Sequence, residues 1–199
     1  MKIISAQFIK GVVGEEALLY DGTPQIAFIG RSNVGKSSTL NSILERRKLV
    51  KVGKTPGKTR EINFFDVVLD TKDHIYFVDL PGYGYAKISK SERSTLAERI
   101  KWYITHPQAD TALICLIIDA KVGLTDFDKG ALDLIKKHKK QYFIGVNKID
   151  RINQKTQNEL LKDLKEYLQE DFEKVTLYSA QKNKGVHKIL QRIEATLYQ

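Results

Sequence analysis

The sequence predicts an α/β fold, in which a mainly parallel sheet is flanked by helices. Apolar segments rich in β-branched and aromatic residues alternate along the chain with longer segments of helical period, an order typical of βαβ units. Several apolar segments are hydrophobic at nearly every position, as expected for strands that helices cover on both faces. Ligands of such sheets bind beyond the carboxyl ends of the strands, so we expect the functional residues there.

The periodicity predicts six strands and five helices. The predicted strands span residues 25–30, 62–69, 74–80, 112–119, 141–147 and 174–180. The predicted helices span residues 36–47, 90–104, 126–138, 154–168 and 183–198. Leu160, Leu164 and Leu168 recur every fourth residue, which predicts one apolar stripe that faces the sheet. Residues 46–60 contain glycine and proline but little apolar periodicity, which favours a loop.

The composition indicates one globular domain that covers residues 1–199. The chain is 42% hydrophobic and 29% charged, and its single cysteine, Cys115, excludes an intramolecular disulfide. The longest apolar run, residues 112–118, is far shorter than the about 20 residues that a membrane-spanning helix needs. We therefore expect a cytoplasmic monomer with no membrane partner.

Residues 30–37, GRSNVGKS, match the phosphate-binding motif G-x-x-x-x-G-K-[ST] at every fixed position. This P-loop follows a predicted strand and opens a predicted helix, which is the context that the motif requires. Its backbone N–H groups would face phosphate oxygens, the Lys36 ammonium would neutralise the β- and γ-phosphates, and the Ser37 hydroxyl would bind Mg²⁺. The predicted contacts are Gly30, Arg31, Ser32, Asn33, Val34, Gly35, Lys36 and Ser37.

Residues 79–82 predict the element that senses the terminal phosphate. The element consists of Asp79, Leu80, Pro81 and Gly82. Asp79 ends an apolar strand and would order the water shell of Mg²⁺, and Gly82 would bring its N–H against the γ-phosphate. Tyr83 follows, where other nucleotide switches often carry the glutamine that orients the attacking water. We expect Tyr83 and Tyr85 to pack this segment against the body of the protein, with stacking on RNA bases as the alternative.

Residues 147–150, NKID, follow the fifth predicted strand and predict guanine as the base. Guanine presents two adjacent donors that the Asp150 carboxylate would accept together, whereas adenine has no such pair, which opposes a generic ATPase. Asn147 would approach the other edge of the base, and the stem of Lys148 would cover its face. Backbone groups of Ser179 and Ala180 would close the pocket after the last strand.

A loop threonine would complete the coordination of Mg²⁺ while the γ-phosphate is bound. The segment KTPGKTREINFF offers Thr55 and Thr59, and Thr59 is preferred because it lies just before the strand that begins at Ile62. This loop would order with GTP and relax after hydrolysis, which would convert the bound phosphate into a change of shape.

Taken together, GRSNVGKS, KTPGKTREINFF, DLPGYGYAK, NKID and SAQKNKG resemble the EngB (YihA/YsxC) family of bacterial GTPases, within the TrmE-Era-EngA-EngB-Septin-like group. The resemblance covers nearly the whole chain. Such proteins usually carry threonine where this chain has Asn147. Asparagine is the commoner residue in GTPases at large, so we expect guanine specificity to be retained.

The resemblance implies a Ras-like fold of six strands, in which the second runs antiparallel, and slow hydrolysis of GTP to GDP and phosphate. It also implies a switch in assembly of the large ribosomal subunit that is needed for normal cell division and septation. A GTP-dependent scaffold in division, with incidental hydrolysis, is the alternative.

The resemblance also assigns roles to particular residues. Mg²⁺ would bind Ser37 and Thr59, and Lys36, Thr59 and Gly82 would act in catalysis. The GTP contacts that it implies outside the P-loop are Gly57, Lys58, Thr59, Arg60, Glu61, Asp79, Leu80, Pro81, Gly82, Asn147, Lys148, Ile149, Asp150, Tyr178, Ser179 and Ala180.

The phenol of Tyr83 has a single hydroxyl and does not offer a water molecule a separate donor and acceptor as an amide does. We therefore expect hydrolysis to be completed by a partner or by a bound K⁺. Asn33 motivates the cation, because related GTPases with asparagine at this position hold potassium beside the phosphates. An asparagine that only braces the loop is the alternative.

The net charge of +9 favours a polyanionic partner, and nucleic acid before a membrane. A merely basic, solvated surface is the alternative, and residues 136–140, KKHKK, are best explained as a solvated helix end. A second basic cluster overlaps the loop that would respond to GTP, and it would present a surface to ribosomal RNA in a precursor of the large subunit. Its residues are Arg46, Arg47, Lys48, Lys51, Lys54, Lys58 and Arg60.

Overall fold

The computed structural model describes residues 1–14, 16–45, 49, 61–84, 89–107, 109 and 111–198. The described strands are β1 (Ile3–Val12), β2 (Gln25–Gly30), β3 (Ile62–Leu69), β4 (His74–Asp79), β5 (Thr111–Asp119), β6 (Tyr142–Asn147) and β7 (Val175–Leu177). The described α-helices are α1 (Lys36–Ile43), α2 (Lys90–Thr105), α3 (Asp126–Lys137), α4 (Gln154–Leu168) and α5 (Val186–Leu197).

The strands form one sheet in the order β1-β3-β4-β2-β5-β6-β7. β3 pairs antiparallel with both of its neighbours, and every other pair in the sheet is parallel. The predicted α/β fold is therefore confirmed, including the antiparallel direction of the strand over residues 62–69. Because β2, β4, β5, β6 and β7 all run the same way, their carboxyl ends meet at one edge of the sheet.

The prediction of six strands was wrong by one, since the described residues form a sheet of seven. The additional strand, β1, lies at the edge and pairs with β3 from Ile3 opposite Leu69 to Val12 opposite Ile62. Only Val12 of this strand is buried, and two register irregularities interrupt its alternation. An exposed edge strand needs little apolar patterning, so the sequence signal for it is weak.

Several predicted element ends differ from those of the structure. α1 ends at Ile43 rather than at residue 47, and Glu45 takes a left-handed φ of 50° that cannot continue a helix. α5 begins at Val186 rather than at residue 183, after Gly185 with a φ of 73°. β7 covers only Val175–Leu177 because the chain then turns into a loop. The loop predicted over residues 46–60 lies outside the described residues, apart from Leu49.

Two apolar cores lie on opposite faces of the sheet. Alternate residues of β2 face each core, with Ala27 and Ile29 on one side and Ile26 and Phe28 on the other. α2, α3 and α4 cover the first core, and α1 and α5 cover the second. The predicted leucine stripe of α4 is confirmed, since all three of its members are buried in the first core.

Within the described part of the chain, no helix combines the length and the apolar character needed to cross a membrane.

Candidate functional site

The predicted site residues that the structure describes converge at the carboxyl edge of the sheet. The P-loop lies at the end of β2, and residues 79–84 lie at the end of β4. Residues 147–150 lie at the end of β6, and residues 178–180 follow β7. A further segment, residues 119–124, leaves β5 between them. Loops that are far apart in sequence therefore share one end of the molecule, as expected for a parallel sheet.

At two positions of the P-loop, neighbouring atoms lie so close to the backbone that only glycine fits. A β-carbon on Gly30 would lie 2.3 Å from the carbonyl oxygen of Ile117 in β5. Gly35 has a left-handed φ of 101°, and a β-carbon there would lie 2.4 Å from Nδ2 of Asn147. Gly35 also caps the amino end of α1, which begins at Lys36. The loop therefore curls tightly into the start of a helix, where backbone N–H groups and the helix dipole favour an anion.

Asp79 and Lys36 place opposite charges close enough to interact at the P-loop. Asp79 is only 4% exposed, and burial raises its pKa to about 6, although the Lys36 ammonium pulls that pKa down. Burial lowers the pKa of Lys36, and Asp79 opposes that shift. Within the described residues, Asp79 Oδ1 and Ser32 Oγ are buried without a hydrogen-bond partner. Such groups fit a site in which a magnesium ion with its waters and a phosphate complete the polar contacts.

Gly82 brings the segment after β4 directly against the P-loop. A β-carbon on Gly82 would lie 3.1 Å from the backbone nitrogen of Ser32 and 3.2 Å from Lys36 Nζ. The N–H of Ser32 donates to the carbonyl oxygen of Tyr83 over 2.8 Å. The structure thus brings the predicted γ-phosphate sensor next to the lysine of the phosphate loop.

The side chain of Tyr83 packs into the core. It is 7% exposed, and its hydroxyl donates to Asp128 Oδ1 in α3 over 2.7 Å. Burial and then the Asp128 carboxylate raise the pKa of this phenol, so it remains a donor at neutral pH. The packing predicted for Tyr83 is confirmed, whereas Tyr85 lies outside the described residues. Sequence reasoning missed Asp128, although Thr125 and Asp128 have the spacing of a capping box at the start of α3.

Asn147 joins three loops through its side-chain amide. Nδ2 donates to the carbonyl oxygen of Val34 over 3.0 Å, and Oδ1 accepts from the N–H groups of Lys148 and Ala180 over 2.8 and 3.1 Å. The residue is 2% exposed. Asn147 therefore braces the P-loop against the loops after β6 and β7, and its contact with a base remains a prediction.

Lys148 stretches from the end of β6 across the P-loop. Its Nζ donates to the carbonyl oxygen of Asn33 over 2.5 Å and to Asp119 Oδ2 over 2.7 Å. The backbone of Lys148 has a left-handed φ of 67°, which turns the chain toward Asp150. Asp119 was missed in the sequence analysis, although it ends an apolar strand in the same way as Asp79 does. That shared pattern is the signal that could have identified it.

Asp150 and the 178–180 loop form the outer wall of the site. Asp150 is exposed, and a hydrogen bond from the Ser179 side chain lowers its pKa, so it is an ionised acceptor at neutral pH. Ser179 itself is fully buried, and its Oγ accepts from the N–H of Lys182 over 3.1 Å. The side chain of Tyr178 is also fully buried, where its hydroxyl lies 2.7 Å from Thr39 Oγ1. Any nucleotide contact of Tyr178 is therefore limited to its backbone.

The predicted magnesium ligands lie only partly within the described residues. Ser37 is in the first turn of α1, next to Lys36, whereas Thr59 and its alternative Thr55 lie outside the described residues. The described residues contain no cluster of three or more His, Cys, Asp or Glu side chains suited to a metal ion. Ser37 therefore fits Mg²⁺ as one hydroxyl ligand among phosphate and water oxygens, since Mg²⁺ usually binds through few protein groups.

Among the other residues predicted around Thr59, the structure describes only Glu61. Gly57, Lys58 and Arg60 lie outside the described residues. Glu61 is described, and its side chain lies over Gly11 of β1, where a β-carbon on the glycine would overlap its carboxylate. β1 and β2 are separated by two strands in the sheet, so the Glu61 side chain lies away from the P-loop in this conformation.

Comparison with known proteins agrees with this arrangement of loops. A family model of 50S ribosome-binding GTPases matches residues 25–148. The chain is also 36% identical to the GTP-binding protein EngB of Prosthecochloris aestuarii, and the match covers 98% of both chains. The chain belongs to the EngB family of GTP-binding proteins. As an EngB-family protein it is a GTPase.

Solved structures show the same fold as this EngB-family chain. A crystal structure of a GTP-binding protein EngB has a TM-score of 0.72, with 24% sequence identity over 86% of this chain and 97% of that one. The structure of Era in complex with MgGDPNP and a fragment of 16S ribosomal RNA has a TM-score of 0.70. It is 26% identical over 86% of this chain and 56% of that chain.

Proposed function

We propose that this EngB-family GTPase is a nucleotide-dependent switch in assembly of the large ribosomal subunit. The observation that carries the proposal is the direct contact between the Gly82 segment and the P-loop at Ser32 and Lys36. Loss of the γ-phosphate would change this contact, and the change in conformation would pass to the residues that follow Gly82 in the chain. The similarity to 50S ribosome-binding GTPases supports the large subunit as the target.

The site residues support GTP rather than ATP as the ligand. Lys36 and the P-loop backbone would bind the β- and γ-phosphates, and Gly82 would donate its N–H to the γ-phosphate. Asp150 is ionised and exposed beyond the end of β6, where it would accept the two adjacent donors of guanine. Ile149 and the backbone of Ser179 and Ala180 would enclose the base.

Magnesium would be held by Ser37 and Thr59, with Asp79 ordering its water shell. When bound, Mg²⁺ would neutralise negative charge on the β- and γ-phosphate oxygens during hydrolysis. The buried Asp79 carboxylate next to Lys36 is suited to this role because its unpaired oxygen lacks a protein partner among the described residues.

The Tyr83 hydroxyl donates its hydrogen bond to Asp128, so another group would have to assist the attack of water on GTP. We propose a bound K⁺ beside Asn33, or a partner protein, as that group. Asn33 is exposed and has a left-handed φ of 65°, with its carbonyl oxygen held by Lys148. Faster GTP turnover in KCl than in NaCl at matched ionic strength, lost in Asn33→Ala, would support the cation. Equal turnover in both salts, unchanged in the variant, would exclude it.

The RNA-binding part of the proposal rests on charge. The net charge of +9 favours a polyanion, and the basic cluster of residues 46–60 lies outside the described residues. Lys136, in the other basic run, is paired with Asp171 over 2.6 Å, which fits its interpretation as a solvated helix end. The similar Era structure contains ribosomal RNA, which supports nucleic acid as a ligand class in this group.

Pelleting of the pure protein with large ribosomal subunits tests the proposal. The protein is incubated with a non-hydrolysable GTP analogue or with GDP, across a series of salt concentrations. Preferential binding with the analogue that weakens as salt rises supports a switch that contacts RNA. Equal binding in both nucleotides contradicts GTP-dependent binding to mature subunits. A septal protein partner, found instead, would favour the scaffold in cell division.

A further inference from the structure

Tyr83 is anchored at its side-chain end to a fixed carboxylate. Its hydroxyl donates to Asp128 Oδ1 over 2.7 Å, and Asp128 is 1% exposed. The second oxygen of Asp128 accepts from the N–H and the hydroxyl of Thr125 over 2.9 and 2.6 Å. These bonds cap the amino end of α3, so the partner of Tyr83 is held by a helix that packs on the sheet.

The backbone of the same tyrosine is anchored to the P-loop. Its carbonyl oxygen accepts from the N–H of Ser32 over 2.8 Å, and Gly82 precedes it in contact with Ser32 and Lys36. Gly84 follows with a left-handed φ of 72°, and a β-carbon there would lie 3.2 Å from Nε of Arg31. Tyr83, which follows the predicted γ-phosphate sensor Gly82, thus connects the P-loop to α3.

We propose that Tyr83 and Asp128 are a positioning pair, which holds residues 79–83 against the P-loop in the geometry that recognises the γ-phosphate. This inference rests on the proposed role of Gly82 as the γ-phosphate sensor. In this proposal Tyr83 does not orient water. Its role is to position the N–H of Gly82.

The pair should favour GTP over GDP because only GTP has the phosphate that Gly82 would contact. A segment that is already held in place loses little conformational freedom when it binds that phosphate. If the segment is released from α3, GTP must order it on binding, whereas GDP lacks the phosphate that Gly82 would contact. Weakening the anchor therefore lowers the affinity for GTP selectively.

Tyr83→Phe is the direct test, because it removes the hydroxyl and keeps the ring in the core. Equilibrium affinities are measured for GDP and for a non-hydrolysable GTP analogue. The expected result is a loss of about fivefold in the affinity for the analogue, the factor that one hydrogen bond of ordinary strength provides, with little change for GDP. Tyr103→Phe is the matched control, since Tyr103 is fully buried and its hydroxyl donates to Gln25 over 2.8 Å, at the start of β2.

The control separates positioning from general stability. Both variants should melt at a lower temperature, but only Tyr83→Phe should change the ratio of the two affinities. An equal loss for both nucleotides, or an unchanged ratio in Tyr83→Phe, overturns the proposal.

Gly82→Ala, measured in parallel, tests the proposed sensor itself. If Gly82→Ala leaves the ratio unchanged, the assignment of the sensor is wrong and the positioning pair is wrong with it. If Gly82→Ala abolishes the preference for the analogue and Tyr83→Phe does not, only the positioning pair is wrong.

Discussion

The side-chain amide of Asn147 donates a hydrogen bond of 3.0 Å to the carbonyl oxygen of Val34, which ties the end of β6 to the middle of the P-loop. The two residues are 113 positions apart in the sequence. Because the oxygen of the same amide accepts from the N–H groups of Lys148 and Ala180, one side chain joins the loops that are predicted to bind the phosphates and the base.

Asn147→Ala should weaken the binding of GTP and GDP alike, because it removes bonds that hold the shared part of the site. Three hydrogen bonds of about 1 kcal/mol each are lost, which leaves the buried carbonyl group of Val34 and the partly buried N–H groups of Lys148 and Ala180 without this partner. We expect unfolding in urea to show a loss of about 2 to 4 kcal/mol. Asn158→Ala is the control, since its exposed amide bonds only Gln154 on the surface of α4 in the described contacts, and it should have little effect. A normal stability for Asn147→Ala would contradict the bracing role.

Gly35→Ala should abolish most nucleotide binding, because its left-handed φ and the nearby Asn147 amide leave no room for a methyl group. We expect a loss of stability of about 1 to 3 kcal/mol from backbone strain and displacement of the amide. Gly130→Ala provides the opposite control, since nothing lies within 4 Å of its added methyl group in α3. That change should stabilise the protein by about 0.5 to 1 kcal/mol. Melting temperatures that move in the same direction for both variants would contradict this account.

Asp171 should make a pH-dependent contribution to stability. Burial tends to raise its pKa, but hydrogen bonds from Lys136 and Lys174, over 2.6 and 2.7 Å, outweigh this and lower the pKa below its usual range. A folded-state pKa below the unfolded value stabilises the folded protein at neutral pH, and this stability is lost as the pH falls below about 4.

Asp171→Asn should therefore cost at most about 1 kcal/mol at pH 7, since solvent partly screens this half-buried carboxylate and its two lysines, and almost nothing at low pH. Urea unfolding across the acidic range measures both values. Asp126→Asn is the control, because its fully exposed carboxylate lies 4.0 Å from Lys129. A cost for Asp171→Asn that does not change with pH would show that the carboxylate charge is not responsible.

The phosphate loop, the γ-phosphate element and the guanine motif could be predicted because each is a short run of residues next to a strong strand. Their meeting at one edge followed from the parallel sheet. β1 was missed because its residues are largely exposed, so burial left little pattern in Ile3–Val12. The sequence also places the end of α1 too late, since its apolar period alone does not mark the left-handed turn at Glu45.

The contacts that brace the site could not be read from the sequence. Tyr83 and Asp128 are 45 residues apart, and Lys148 and Asp119 are 29 apart. Each pair forms only when strands and helices pack. No local sequence pattern at either residue indicates which distant residue it will contact. Which residues face the nucleotide therefore stays a prediction from the sequence, and the structure adds the contacts that hold those residues in place.

The central claim is that the carboxyl edge of this sheet is a guanine-nucleotide site in which Asp150 selects the base. The most direct test is displacement of a fluorescent GDP analogue by unlabelled GTP and ATP, with the wild-type protein and Asp150→Ala. We predict that GTP displaces the probe at far lower concentration than ATP does, and that the variant binds guanine nucleotides at least about tenfold more weakly. Equal competition by ATP and GTP in the wild-type protein would contradict the account.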